Sequence, residues 1–259
     1  MKKDFVHERR NKLLDFINTQ SRADVAELAE LAQVTEATIR RDLILLEEQN
    51  LILRTHGGAL KRDEPSIWQS TTLQERMALQ VEEKDRIGAY VSLHLVKDGD
   101  SIMMDGGSTT LAVARQLTVR KNLLVVTNTS TIGELLVSNK NNRVIITGGE
   151  LTEGTNTMVG PSTEHAIEQY RTDKAIVGVS GLLLEEGCFS AVPLEAEVKR
   201  LMILHSRETI IVADSTKIGT RAFCFVCGFQ SARTLVTDRN ISKTARDSLE
   251  RTGIEVIIV

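Results

Sequence analysis

The sequence predicts an α/β protein in two parts, a small helical N-terminal domain and a larger doubly wound one. Three observations carry this. Apolar side chains recur at three-and-four spacing through the first 50 residues, which is the helical period. From Lys84 onward, short and continuously apolar runs alternate with helical segments, as parallel strands covered on both faces require. Between these regions, residues 63–83 hold Pro65, several polar side chains and no sustained strand pattern, so a linker that turns partly helical is expected there.

The N-terminal domain, residues 1–62, reads as three helices, "RRNKLLDFINTQ", "DVAELAELAQV" and "EATIRRDLILLEEQ". Ser21 and Thr35 stand before the second and third, where a hydroxyl can accept from the free N–H groups of a helix start. The Leu/Ile run and Gly57-Gly58 of "NLILRTHGGAL" then read as a short hairpin. Helices joined by a tight turn at Gln33-Val34 and followed by a hairpin have the layout of a winged helix-turn-helix.

On the third helix Ile39, Leu43 and Leu46 share the side that packs inward, while Ala37 and Arg41 fall opposite and Thr38 and Arg40 flank. Its exposed start, Thr35, Glu36, Ala37, Thr38, Arg40 and Arg41, is therefore the candidate for entering a major groove. There arginine pairs with guanine or anchors on phosphate. Arg54 and His56 on the wing would reach backbone phosphate or the minor groove. Taken alone, the two arginines read first as solvated partners of Asp42, Glu47 or Glu48; the turn before them and the hairpin after them shift the reading to DNA.

Charge does not decide the matter. The whole chain carries a formal −3, with 11 Lys/Arg against 10 Asp/Glu in residues 1–62, so positive charge must be placed locally. No apolar run is long enough to span a membrane, and "MKKDFVHERR" is charged where a signal peptide is apolar, so a cytoplasmic protein is expected. Cys188, Cys224 and Cys227 suggest no disulfide framework. "CFVC" reads as a strand whose two cysteines point to opposite faces and cannot share an ion, so no metal is expected.

In residues 84–259 the strand candidates are "SIMMD", "LLVVT", "RVIIT", "KAIVGV", "TIIVA", "TLVT" and "EVIIV". Ligands of such sheets bind beyond the carboxyl ends of the strands. The residues expected there are small or hydrogen-bonding: Asp105, Gly106, Gly107, Ser108, Thr109 and Thr110, then Thr127, Asn128, Gly148, Gly149, Ser180 and Gly181, and "DSTKIG" from Asp214. Glycines, hydroxyls and a helix start near Ser108 together suit a phosphate or other anion. "GGSTTLA" has neither the third glycine of a dinucleotide fingerprint nor the Gly-Lys-Ser/Thr of a P-loop, so no nucleotide cofactor is expected. Lys199 and Lys217 could complete an anion site, and Glu195 and Glu197 precede Lys199, where a carboxylate would bind sugar hydroxyls or act as a base.

Together these pieces resemble the DeoR family of bacterial transcriptional regulators, usually repressors of sugar-use operons. "TEATIRRDL" with "LEEQNLILRTHGGA" is similar to the family's helix-turn-helix signature, and "EEKDRIG", "DGGSTT", "VTN", "ITGGEL", "VGVSGL", "EVKR" and "ADSTKIG" follow in the family's order. The resemblance implies a C-terminal sensor domain similar to sugar-phosphate isomerases, with a phosphorylated sugar as effector, operator DNA as partner, and a homo-oligomer. By position it implies effector binding by Asp105 to Thr110, Thr127, Asn128, Gly148, Gly149, Ser180, Gly181, Glu197, Lys199 and Lys217. It also implies that the loop "EEGCFS", Glu185 to Ser190, bears on effector choice.

Two other readings compete. A sugar-phosphate isomerase or deaminase with Glu197 or Asp105 as base explains the second domain and leaves the first unemployed. An architectural DNA-binding protein whose second domain only oligomerises would have no use for strand ends lined by glycines and hydroxyls.

Overall fold

The structure is a computed structural model that describes residues 2–20, 22–48, 51–55, 57–61 and 71–259. It divides into two compact units, Met1–Glu64 and Pro65–Val259.

The first unit runs α1 (Lys2–Gln20), β1 (Arg22–Asp24), α2 (Val25–Ala32), α3 (Glu36–Glu48), β2 (Ile52–Arg54) and β3 (Gly58–Lys61). Its core holds Leu13 and Ile17 of α1, Leu28 of α2, and Ile39, Leu43 and Leu46 of α3, so the inward face expected of the third helix is the buried one. The expected hairpin is present as β2 and β3. It also gains a third strand, because β1 pairs with β3 on its other side. Gly58 allows this approach: a Cβ there would lie 2.1 Å from the Ala23 carbonyl oxygen.

The start of α2 differs from the expectation at Ser21, which lies outside the described residues. Asp24 precedes the helix, and its N–H donates to the Glu27 carboxylate at 3.2 Å. α2 ends at Gln33 in the left-handed region (φ 53), which turns the chain toward α3. The Thr35 hydroxyl accepts from Thr38 N–H at 3.4 Å.

The second unit opens with α4 (Leu73–Ala78) and α5 (Val81–Tyr90), so residues 71–83, within the expected linker, are largely helical. Leu73 is buried, and its N–H donates to the Gly154 carbonyl. There follow β4 (Ser101–Met104), α6 (Ser108–Leu117), β5 (Leu124–Thr127), α7 (Ser130–Val137), β6 (Arg143–Ile146), β7 (Glu150–Leu151), β8 (Met158–Val159) and α8 (Pro161–Glu168). The chain continues through β9 (Thr172–Gly178), β10 (Gly181–Leu183), β11 (Gly187–Ser190), α9 (Pro193–Leu204) and β12 (Ser206–Val212), and ends with β13 (Cys224–Cys227), β14 (Thr234–Thr237), α10 (Lys243–Arg251) and β15 (Glu255–Ile258).

The seven apolar runs form one parallel sheet, ordered β15-β14-β12-β9-β4-β5-β6. On one face Ile102, Met104, Val125 and Ile176 pack with Ile87 of α5, Val113 and Leu117 of α6, and Leu136 of α7. On the other, Met103 and Val126 meet Ile167 of α8 with Val198 and Met202 of α9, while Ala175 and Ile211 meet Ala196 of α9 and Leu249 of α10. Burial on both faces explains why the inner strands show no polar alternation. A small antiparallel sheet, β10-β11-β13, and the β7–β8 hairpin complete the unit. The β4, β9 and β12 ends stand side by side at the centre of the large sheet.

Candidate functional site

In the first unit, Thr35, Glu36, Ala37, Arg40 and Arg41 are exposed and Thr38 is half-buried. Asp42 is not their partner. It is buried and accepts from Arg9 Nε and Arg10 Nε, each at 2.8 Å, which ties α1 to α3. Arg40 pairs with Glu36 one turn earlier at 3.1 Å, whereas Arg41 makes no ion pair among the described residues. Arg54 on the wing pairs with Glu47 at 3.3 Å, and His56 lies outside the described residues. The exposed start of α3 thus offers Arg41, whose donors no carboxylate takes among the described residues.

In the second unit the expected cradle lies at the β4 end. Asp105 is buried and accepts from the Gly178 N–H at the β9 end and from Lys199 Nζ on α9. Burial pushes the Asp105 carboxyl up, Lys199 beside it pulls it back, and the Glu195 charge raises it again. Asn128 at the β5 end accepts from Gly106 N–H at 3.1 Å and donates to the Met158 carbonyl at 3.0 Å, so one amide side chain ties the β4 and β5 ends to β8. Gly106 is required by crowding, since a Cβ there would lie 2.4 Å from Thr157 Cγ2.

α6 starts at Ser108, and its first-turn N–H groups have no partner within the helix, which leaves a positive pole at the cradle. Ser108 is half-buried. The Thr110 hydroxyl is already committed, donating to the Gly107 carbonyl at 3.0 Å. Thr127 is fully buried, and among the described residues its hydroxyl has no hydrogen-bond partner, as is true of the buried Ser190 hydroxyl at the end of β11. Buried donors without partners are the kind a ligand would satisfy.

The two glutamates separate. Glu195 is buried, one helical turn from Lys199, and accepts from the Thr157 hydroxyl at 3.0 Å, which in turn lies 3.0 Å from that of Thr155. Glu197, the glutamate the resemblance implies, lies on the half-buried side and pairs with Arg200 instead. Two residues matter here for their spacing: Glu195 and Lys199 stand four apart, the spacing of one helix face.

Other expected positions have local structural work. Gly148 and Gly149 adopt positive φ (69 and 119), and Thr163 donates to the Gly148 carbonyl at 2.6 Å, which docks the turn on α8. Ser180 accepts from Ala191 N–H at 3.2 Å, and Gly181 passes so close to Thr220 that a Cβ would lie 2.3 Å from its carbonyl oxygen. Among the described residues no hydrogen bond joins these groups to Asp105. Lys217 ends a short 3-10 turn opened by Asp214, whose carboxylate accepts from Thr216 N–H at 3.2 Å. Lys84 on α5 was not anticipated. It is buried, donates to the Arg76 and Leu79 carbonyls at 2.5 and 2.6 Å, and has its pKa lowered to about 8, chiefly by burial.

A separate cavity of about 670 Å3 lies against α4, α6, α7 and the β7–β8 turn, with Leu73, Met77, Leu111 and Leu135 among its walls. None of the expected strand-end residues lines it. Among the described residues no cluster of His, Cys, Asp or Glu could hold a metal ion, and no helix is long and apolar enough to cross a membrane.

Residues 9–64 match the DeoR-like helix-turn-helix domain and residues 79–239 the DeoR C terminal sensor domain. The chain belongs to the DeoR family. Among similar DeoR-family proteins is the HTH-type transcriptional repressor GlcR of Bacillus subtilis (strain 168), 32% identical over 98% of this chain and 96% of the relative. Another is the glycerol-3-phosphate regulon repressor of Escherichia coli (strain K12), 35% identical over 89% of this chain and 90% of the relative. Among solved structures, the sorbitol operon regulator SorC from Klebsiella pneumoniae is 13% identical over 93% of this chain and 97% of that one, with a TM-score of 0.41. Ribose 5 phosphate isomerase A from Neisseria gonorrhoeae is 17% identical over 52% of each chain, with a TM-score of 0.38. This DeoR-family chain is a DNA-binding transcriptional regulator and not an enzyme, as its named relatives are repressors.

Proposed function

We propose that this regulator represses a carbohydrate-use operon and that a phosphorylated sugar, bound at the strand-end cradle, weakens its grip on the operator. The observation that carries the reading is the buried Asp105–Lys199 pair beside the first turn of α6. The helix start and Lys199 favour a phosphate; Asp105, Glu195 and the Thr127 and Ser190 hydroxyls favour a polyhydroxylated body. A second copy of the chain supplies a second α3, so that two half-sites are read together.

Mechanistically, the sugar must bind the DNA-competent and DNA-released arrangements with different affinity, since equal affinity shifts nothing. Fluorescence anisotropy on DNA from upstream of the protein's own gene, at fixed salt, tests this with glycerol 3-phosphate, hexose and pentose phosphates and their unphosphorylated parents. Release by one phosphosugar and not by its parent supports the reading. Release by a parent sugar alone would overturn the phosphate assignment.

A further inference from the structure

The motif "CFVC" directs attention to Cys224 and Cys227, but the fold pairs Cys227 with a different cysteine. β11 and β13 run antiparallel with Cys188 opposite Cys227 and Cys224 opposite Ser190. Directly opposed residues of an antiparallel pair have Cα atoms about 4.5–5.5 Å apart, inside the ~4.4–6.8 Å that a disulfide spans. Both thiols are free and buried, Cys188 completely and Cys227 with 6% exposed. The two thiols perturb each other: Cys188 beside it holds the Cys227 thiol below its ordinary pKa, while Cys227 and burial hold the Cys188 thiol above its own.

The surrounding backbone holds this juxtaposition in place. Gly187, at φ 122, sits so close to β13 that a Cβ would lie 2.3 Å from the Cys227 carbonyl oxygen. The ladder shifts register between Cys188 and Phe189, a local irregularity of the kind that increases twist at a strand pair. A packing role alone asks only for two small apolar side chains here. Two thiols in register supply a chemistry that packing does not require.

We propose that Cys188 and Cys227 form a reversible intramolecular disulfide on exposure to a hydroperoxide, fastening β11 to β13. The Cys227 thiolate attacks a peroxide oxygen and the O–O bond breaks; with hydrogen peroxide this leaves a sulfenic acid on Cys227 and hydroxide, which takes up a proton as water. The Cys188 sulfur then attacks the Cys227 sulfur, its thiol proton leaving with the displaced hydroxyl as a second water. Two electrons pass from the sulfurs to the peroxide, and a dithiol reductant returns them. β11 runs through Ser190 and Ala191 directly into α9, which carries Glu195 and Lys199, so the bond restrains the strand that leads into the ligand helix. The proposal does not depend on which ligand that helix binds.

The test treats the full-length native protein with hydrogen peroxide, blocks remaining thiols with N-ethylmaleimide under denaturing conditions, and maps peptides by mass spectrometry. The expected product is one cross-linked peptide joining Cys188 to Cys227, with Cys224 alkylated. Dithiothreitol should abolish it. Cys188→Ser and Cys227→Ser should each prevent it, while Cys224→Ser should leave it intact. Hydrogen exchange across residues 187–204 should slow on oxidation and recover on reduction. A Cys224–Cys227 link, links only between chains, or three alkylatable thiols after an exposure that oxidises an exposed control thiol would each overturn the pairing. Formation of the bond with unchanged exchange in α9 would overturn its reach to the ligand helix.

Discussion

Lys199 Nζ reaches the Asp105 carboxylate in a site where both side chains are almost wholly excluded from water. Such a pair is costly to assemble, because both charges lose hydration, yet costlier to break, because removing one partner strands the other. Lys199→Met should therefore lower the unfolding free energy by about 3–5 kcal/mol. Asp105→Asn with Lys199→Met should recover part of the loss. Urea denaturation of the three proteins, followed by circular dichroism, measures this. Equal stability of Lys199→Met and wild type would mean that the pair does not form in solution.

Arg41 is exposed on α3 and unpaired among the described residues, whereas Arg40 is engaged with Glu36. Arg41→Ala is expected to weaken operator binding by roughly 1–3 kcal/mol and to relax sequence preference if the side chain reads a base. A uniform loss on all DNA, with a shallower salt dependence, would identify a phosphate contact instead. Anisotropy titrations on operator and scrambled duplexes at several salt concentrations separate the two, and no loss on either duplex would return Arg41 to the solvated surface.

Ser108 and Thr110, two residues apart on α6, point to different sides of the helix and differ in role. Ser108 is half-buried at the helix start, and its hydroxyl makes no protein hydrogen bond among the described residues; the Thr110 hydroxyl is spent on the Gly107 carbonyl. Ser108→Ala should weaken phosphosugar binding by roughly 1.5–3 kcal/mol, the range for a hydrogen bond to a charged group, while operator affinity without sugar stays unchanged. Thr110→Ala should instead cost about 1 kcal/mol of stability. Calorimetric sugar titration and thermal melting of both variants check the division, and it fails if Ser108→Ala melts early while still binding sugar normally.

The inner strands of the large sheet were legible because burial on both faces makes each read as an unbroken apolar run, and the edge strands β6 and β15 keep the same apolar run although neither is fully buried. β1 was not legible. Arg22-Ala23-Asp24 buries a single residue, and its strand character comes from pairing with β3, a contact that no local pattern encodes. The cradle divides similarly. The "DGGSTT" segment announces itself through glycines, hydroxyls and a helix start, whereas the choice between Glu195 and Glu197 depends on which face of α9 meets the sheet. The Cys188–Cys227 pairing and the Asp42 link to Arg9 and Arg10 join residues 39 and about 32 positions apart, and only the fold brings them together.

Lys84 carries the last expectation. Its ammonium sits in the interior, capping the carbonyls of Arg76 and Leu79 at the end of α4. Burial is the largest influence on its pKa; Asp214 and Glu83 favour the charge, and Lys217 and Arg76 oppose it. The result is about 8 against an ordinary 10.5. Below pH 8 folded and unfolded chains both hold the proton, so this group adds no pH dependence there. Between pH 8 and 10.5 the unfolded chain binds the proton more than the folded one, so stability rises with pH. The gain is at most about 3 kcal/mol. Melting of wild type and Lys84→Met across this range isolates it: the wild type should gain on the variant as pH rises. Parallel curves would mean that Lys84 titrates as an exposed lysine and that α4 is not held by a buried charge.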